Sequence, residues 1–388
     1  MSTPNIASYL TAPEGTFAVK DASYSKPGPG EIVIKNAAVA VNPMDWKIQT
    51  YGAILPFPKE YPAIIGTDVA GEIYEVGEGV TGFKKGDRVI GMANWFLTAR
   101  SQDGGFQHYT VCTSNVVSPL PASIPFKSGC VLPLALSTAA MGLYPSTRLA
   151  LPLPQPTKLK SINKVLLIWG GSSSMGSAAI QLAVASGVTV IATASSKNHE
   201  FVKGLGASAV LDYHDDKITE NLVETIKGAG GDFAGALDAI AEERTWRACA
   251  EVVKALGGGK VVSNLPTTFE GVPEGVEVLP VNDTAAIVQD KEIVEGIWTR
   301  FVPEALKAGT MKAVPEPIVV GKGLEKVGEG VELLSYLVAF KQLVPEHTVM
   351  ILKGIVKMRV KHFPALYLLL NTISGVVFGT DAIAVLAA

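Results

Sequence analysis

The spacing of apolar residues changes character twice along this chain. Up to about residue 125 they fall in short runs broken by glycine and proline. Glu31–Val41, Asp68–Gly77 and Asp87–Gly91 are the clearest runs, and each predicts a strand. Strands this short, with turns between them, predict a compact barrel-like β region. From Phe126 to about Thr299 strand and helix patterns alternate, as in an open α/β sheet. Lys164–Trp169 reads as a buried strand, Gly170–Gly176 as a tight turn, and the residues through Ala183 as a helix. Val188–Ala194 completes a strand–helix–strand unit, and Phe233–Asp238 and Gly259–Asn264 are later strands. The proline-rich Leu151–Pro156 reads as a surface insertion, and no repeat of fixed period stands out.

A third region begins at Ser335. Phe363–Thr380 carries no charge and follows Lys357, Arg359, Lys361 and His362. Its length is near the lower limit for a membrane span, with basic residues on one side. Asn371, Thr372, Ser374, Gly375 and Asp381 weaken that reading. Three alternatives stay open for residues 335–388: an irregular appendage or translated non-coding sequence, a packed extra helix or interface, and a membrane anchor.

The turn after Trp169 carries the first chemistry. Gly171, Ser173 and Gly176 stand where a dinucleotide fingerprint has three glycines, with serine in the middle place. A serine there still permits a hydroxyl–phosphate hydrogen bond. The whole turn, Gly170, Gly171, Ser172, Ser173, Ser174, Met175 and Gly176, is expected to cradle a pyrophosphate at the helix N-terminus. An NAD-specific fold places an acid at the end of the second strand. Here Ser195, Ser196 and Lys197 stand there, with no acid until Glu200. Two hydroxyls and an ammonium suit a 2′-phosphate, so NADPH is expected over NADH. Tyr213 ends the next strand and is expected to close over the same phosphate. The alternatives are a solvated Lys197 and a core Tyr213.

The bulk properties fit a globular enzyme. The 388 residues suggest two domains. A net charge of −3 argues against a general nucleic-acid surface. The apolar share of 48% is ample for a core. Cys112, Cys130 and Cys249 are odd in number and far apart, which does not indicate a disulfide framework. No secretory pattern is visible at Met1–Asn5, and the cytoplasm is the expected location.

Several further motifs carry a family resemblance. They are Val41–Lys47, Tyr61–Gly71, Val76-Gly77 with Phe83–Val89, Gly104–Tyr109, the cofactor turn, and Leu205–Ser208. In that order the chain, over about residues 1–334, resembles a medium-chain dehydrogenase/reductase of the zinc-independent quinone/enoyl reductase branch. Within it the chain is most similar to fungal trans-acting enoyl reductases. The resemblance implies a GroES-like β-barrel catalytic domain (residues 1–125 and 300–334) and a doubly wound Rossmann domain (126–299). It implies roles for Asn42 and Pro43 in orienting nicotinamide or substrate, and for Lys47 at the substrate carbonyl or thioester. Tyr51 is a proton-donor candidate or a plain packing residue, since its match is off by about two places. Thr138, Asn264 and Leu265 are placed beside the nicotinamide, with helix packing as the alternative for Thr138.

In the zinc-dependent relatives a cysteine, a Gly-His-Glu segment and a later cysteine bind the metal. Asn42, Thr67 and roughly Ser137 stand at those places. None is a normal zinc ligand, so no zinc is expected. The expected reaction is NADPH-dependent reduction of a carbon–carbon double bond conjugated to a carbonyl or thioester. Quinone reduction is the runner-up, and a non-catalytic NADPH-binding protein or a partner-dependent accessory protein the rival of another class. The expected partners are a small apolar enone, quinone or acyl thioester, a partner synthase, and further copies of the chain joined through the cofactor domain. Residues 267–299, with Val276–Pro280 and Ile297-Trp298, are the expected place of part of the substrate pocket or a dimer surface.

Overall fold

The computed structural model describes residues 4–52, 60–157, 160–264, 269–281, 286–343, 376–379 and 383–386. Its strands are β1 (Asn5–Leu10), β2 (Phe17–Ala22), β3 (Glu31–Val41), β4 (Asp68–Val76), β5 (Arg88–Met92), β6 (Tyr109–Thr113) and β7 (Val117–Pro119) in the first lobe. The second lobe has β8 (Lys164–Trp169), β9 (Thr189–Thr193), β10 (Ala209–Leu211), β11 (Asp232–Asp238), β12 (Gly259–Ser263) and β13 (Val276–Pro280). β14 (Ile318–Lys322), β15 (Val376–Gly379) and β16 (Ile383–Leu386) follow. The helices used below are α1 (Pro43–Tyr51), α2 (Pro133–Leu143), α3 (Ser174–Ala185), α4 (Ile218–Ala229), α5 (Glu243–Ala255) and α6 (Val327–Leu343).

β3 organises the first lobe. Over its 11 residues it pairs antiparallel with β4 on one side and β6 on the other. Two register shifts against β4, at Val33/Ile34 and Asn36/Ala38, bend it. Asn36 lies buried at the second shift, and its Nδ2 donates to Gly105 O, Gln107 O and Thr110 Oγ1. β15 and β16 also pair with β3 and join β14 to the same sheet.

The second lobe is a six-stranded parallel sheet in the order β10–β9–β8–β11–β12–β13. That is the doubly wound dinucleotide order, with the chain reversing direction beside β8. The central strand β8 is covered on both faces, so apolar residues run through it without a polar side. Leu166 and Ile168 enter the core shared with α2 and α3, and Val165, Leu167 and Trp169 the core under α4 and α5. The two-residue period of a strand produces this split.

Val276–Pro280 forms the edge strand β13 of this sheet. One sequence expectation changes. Ile297 and Trp298 are equally buried, inside a π-helical segment over Glu295–Phe301, which makes them core. The uncharged segment 363–380 lies outside the described residues except for β15. Among the described residues one helical stretch, Phe126–Leu143, is long and apolar enough to cross a bilayer, and 72% of it is buried inside the protein.

Candidate active site

The cofactor turn is built from its hydrogen bonds. Gly170 takes φ +81° at the end of β8, a conformation few side chains tolerate. Its N–H donates to Thr193 Oγ1 (3.0 Å), and Gly171 N–H to Thr193 O (2.8 Å), which ties the turn to β9. Ser173 caps α3: its Oγ accepts from Gly176 N–H at 3.0 Å and donates to Gly170 O at 2.8 Å. A Cβ on Gly176 would collide with the Gly170 carbonyl, so this helix can approach the turn only with glycine there. Among the described residues the N–H groups of Ser172, Ser174 and Met175 have no acceptor. The Ser174 hydroxyl is buried and also without a partner. Three free N–H donors at a helix N-terminus fit a pyrophosphate.

The middle serine acts differently from the sequence expectation. The Ser173 hydroxyl already accepts and donates within the turn, so it holds the loop shape instead of reaching a phosphate.

After β9, Ser195 is half-buried, and Ser196 and Lys197 are exposed. Asn198 Nδ2 bridges Ser172 Oγ and Ser195 Oγ, each at 3.3 Å. The Tyr213 ring lies 4.1 Å from that of His214. The fold also brings in an acid that the sequence argument did not count. Asp212, just after β10, accepts Ser196 N–H at 2.9 Å and His214 Nδ1 at 2.6 Å. Partial burial works against its charge, but the bonds from His214 and Ser196 prevail and bring its pKa down to about 2.

In the first lobe, β3 runs into α1 through Asn42. Proline at the first helical place suits this start, since its missing N–H has no partner to lose. Asp45 Oδ2 accepts Asn42 N–H at 2.7 Å and closes the first turn. The Asn42 side chain donates through Nδ2 to Thr67 Oγ1 at 3.1 Å. Asp68 Oδ1 accepts Leu134 N–H at 2.8 Å, which attaches the first turn of α2 to the barrel. Asn42, Asp45, Thr67 and Asp68 are all buried. Burial pushes Asp45 up to about 8, with the neighbouring Asp68 charge adding to the rise. Burial raises Asp68 to about 7, while Asn42, Leu134 and Thr67 hold it back.

The other named residues are placed as follows. Thr138 Oγ1 donates to Leu134 O at 2.7 Å, one turn back along α2. Ser137 Oγ is buried without a partner among the described residues. Lys47 is half-buried, its Nζ 5.8 Å from the Trp46 ring centre, and burial lowers its pKa. Tyr51 ends α1, is 47% exposed and packs edge-on against Trp46 at 6.1 Å. Nine residues of helical rise put it about 13 Å along the axis from Asn42. Asn264 follows β12 at the carboxyl edge of the sheet, its N–H donating to Asp238 O at 3.2 Å. Leu265 lies outside the described residues.

The structure thus gathers Asn42, Thr67, Asp45 and Asp68 and sets Tyr51 apart. The sequence reading missed Asp45 and Asp68. Asp45 has a local signal, an acid three residues after an Asn-Pro helix start, while Asp68 has none outside the fold. Among the described residues no three His, Cys, Asp or Glu side chains form a metal-binding group. Cys112, Cys130 and Cys249 are buried and unpaired. A cavity of about 300 Å³ between Asn115 and the segment Val288–Glu295 falls within the region expected to hold substrate, and Asn115 Nδ2 donates to Val288 O at 3.0 Å beside it.

Comparison with known proteins agrees with this geometry. Residues 28–122 match the alcohol dehydrogenase GroES-like domain, and residues 174–305 the zinc-binding dehydrogenase family. Residues 328–388 match a family described as a eukaryotic integral membrane protein. The trans-enoyl reductase himH of Aspergillus japonicus is 43% identical over 319 residues, covering 81% of this chain and 89% of himH. The dehydrogenase orsE of Emericella nidulans is 39% identical over 357 residues, covering 88% of this chain and 99% of orsE. The crystal structure of CurK enoyl reductase superposes with a TM-score of 0.66 at 21% identity, over 85% of this chain and 96% of CurK. The chain belongs to the medium-chain dehydrogenase/reductase superfamily and is an oxidoreductase of its quinone and enoyl reductase branch.

Proposed function

We propose that this protein is an NADPH-dependent enoyl reductase that reduces the double bond of an α,β-unsaturated carbonyl compound or enoyl thioester. The observation that carries the reading is the pairing of three free N–H donors at the start of α3 with a buried Asn42–Thr67 pair on the barrel side. The relative named trans-enoyl reductase supports the choice of acceptor.

Bound NADPH would supply the hydride. The chain's part is to hold and orient. Ser172, Ser174 and Met175 N–H groups hold the pyrophosphate. Ser195, Ser196 and Lys197 would hold the 2′-phosphate, with Tyr213 beside them and Asp212 hydrogen-bonded to His214. Thr138, Pro43 and Asn264 would border the nicotinamide. Reduction at the β-carbon would move charge to the carbonyl oxygen. Lys47, a partly desolvated ammonium within two turns of Asn42, stabilises that oxygen. Water would supply the proton that the α-carbon takes up, which completes the reduction. The amide of Asn42 and hydroxyls of Thr67 and Ser137 are poor zinc ligands, so polarisation falls to hydrogen bonds. The acyl chain arrives as a thioester, presented by a partner synthase, and the buried free thiols suit the reducing cytoplasm.

The test is cofactor binding by fluorescence, followed by absorbance with an enone, an enoyl thioester and a quinone. Tight NADPH binding, weak NADH binding and turnover of thioester or enone, unchanged by a chelator, are expected. Turnover of the quinone alone would replace this reading with the quinone reductase. Replacing Lys197 by Glu is expected to reverse the preference, weakening NADPH about tenfold or more relative to NADH, in the same titration.

A further inference from the structure

The loop after β9 is held from the neighbouring strand. In the parallel pairing of β9 and β10 Thr193 lies opposite Leu211, and Ala194 N–H donates to Leu211 O at 3.0 Å. Asp212 is therefore level with the start of the loop. Ser196–Asn198 forms a short 3₁₀ turn that runs on into a helical turn over His199–Lys203. The first N–H groups of such a segment have no partner within it. Asp212 Oδ2 supplies one, accepting Ser196 N–H at 2.9 Å. A carboxylate placed there also meets the positive end of the local dipole. Asp212 is itself held: its Oδ1 accepts His214 N–H at 3.0 Å and lies 2.6 Å from His214 Nδ1. The far end of the loop is tied to the cofactor turn, where Asn198 Nδ2 donates to Ser172 Oγ at 3.3 Å. Ser195, Ser196 and Lys197 stand between the two ties. The acid that marks an NAD site ends the second strand and accepts from the ribose 2′-hydroxyl. Asp212 instead follows the third strand of the lobe, and both its oxygens face N–H groups of its own chain.

We propose that Asp212 is a positioning residue for a 2′-phosphate: by capping the Ser196–Asn198 turn from the next strand it fixes Ser195, Ser196 and Lys197 in the arrangement that takes the dianion, although its own charge has the wrong sign for that ligand. This rests on the reading of the chain as NADPH-dependent and adds a residue to that site. Charge and geometry predict opposite results. As a bare charge beside a dianion Asp212 would repel it, and its removal would tighten NADPH. As the cap of the turn it keeps two hydroxyls and an ammonium in place, and its removal loosens all three. The cap prevails, because Ser196 N–H and His214 engage the carboxylate and water screens its field at this partly exposed place.

The test uses the full chain with Asp212→Ala and Asp212→Asn. Kd values for NADPH, NADH, 2′,5′-ADP and 5′-AMP are measured on each by calorimetry. The last two carry the adenosine end with and without the 2′-phosphate, so no turnover is needed. Asp212→Ala is expected to weaken NADPH and 2′,5′-ADP about tenfold, as for lost charge-assisted bonds. NADH and 5′-AMP should move less than about threefold, because the pyrophosphate turn is untouched. Asp212→Asn keeps one acceptor for Ser196 N–H but turns an N–H toward His214 N–H, so NADPH and 2′,5′-ADP should weaken by about threefold. It also decides the matter if Asp212→Ala does not fold. A wild-type or tighter Kd for 2′,5′-ADP in either folded variant would overturn the proposal. So would an equal loss of NADH and 5′-AMP, which would make Asp212 a contact of the ribose or a general prop of the loop. The wild type tests the NADPH reading separately. If it prefers NADPH, that reading stands whatever the variants do. If it prefers NADH, the reading fails and the proposal falls with it.

Discussion

Asp45 has a carboxyl with no access to water and another acid nearby. Its ionisation is therefore a property of the folded state. Unfolded, it would lose its proton near pH 4. Folded, it keeps it up to about 8. Between those values the native state binds the extra proton, so stability falls as pH rises through the window and levels off above it. Asp45→Asn keeps an oxygen for Asn42 N–H and has no proton to lose. Urea unfolding at several pH values should show a shallower decline for that variant than for the wild type. Ser173 gives a second expectation at this scale. Ser173→Ala removes the α3 cap and should cost about 1 kcal/mol in the same unfolding experiment. How far single residues were legible depended on where their partners lie. Asn42 and Lys47 stand in a contiguous motif, and the glycines of the turn are set by local backbone. Asp212 is a surface acid until β10 pairs with β9 and brings it to Ser196. Tyr51 was off by about two places in the motif, and the helix carries it away from Asn42.

At the scale of elements, the periods of two and of roughly four carried most of the reading. The strand–turn–helix–strand unit from Lys164 to Thr193 is where the pattern placed it, because buried strands and capped helices leave local marks. β13 was not legible as a strand, since an edge strand with half-buried residues has the mixed composition of a pocket wall or a dimer surface. The helix α2 shows what packing demands of composition. It is small and apolar throughout, and it lies against the parallel sheet at Gly142. A Cβ there would come within 2.7 Å of Leu237 Cδ1. Gly142→Val should push the helix off the sheet and cost about 1–3 kcal/mol. Urea unfolding measures the loss, and because Thr138 rides on the same helix, thioester turnover should fall with it.

The whole molecule is discontinuous in sequence. The first lobe is finished by α6, which packs on α1 and buries Val327, Val331 and Leu334 in the common core. Their spacing of four and three residues puts them on one helix face. The match to an integral membrane protein family begins at residue 328, inside this helix, so the first turns of the matched segment already serve the enzyme. A chain ending at Leu343 should therefore bind NADPH as the full chain does, since β8–β13 and α3 are intact. A chain ending at Lys326 should aggregate on expression, having lost three large core residues. Size-exclusion chromatography and NADPH titration of the two proteins check this. Nothing in the periodicity of residues 327–343 announced that one helix would serve both the core and the tail.

The position of α6 also sets an order of events during synthesis. The residues that surround Asn42 leave the ribosome early, while the helix that covers α1 leaves it after the entire dinucleotide sheet. The nascent chain must expose the apolar flank of the Asn42 region for most of its elongation, while the later lobe gathers its strands from near neighbours in sequence. Cofactor affinity should therefore arise before the reaction centre is complete, which makes the protein a binder of nucleotide before it is a reductase.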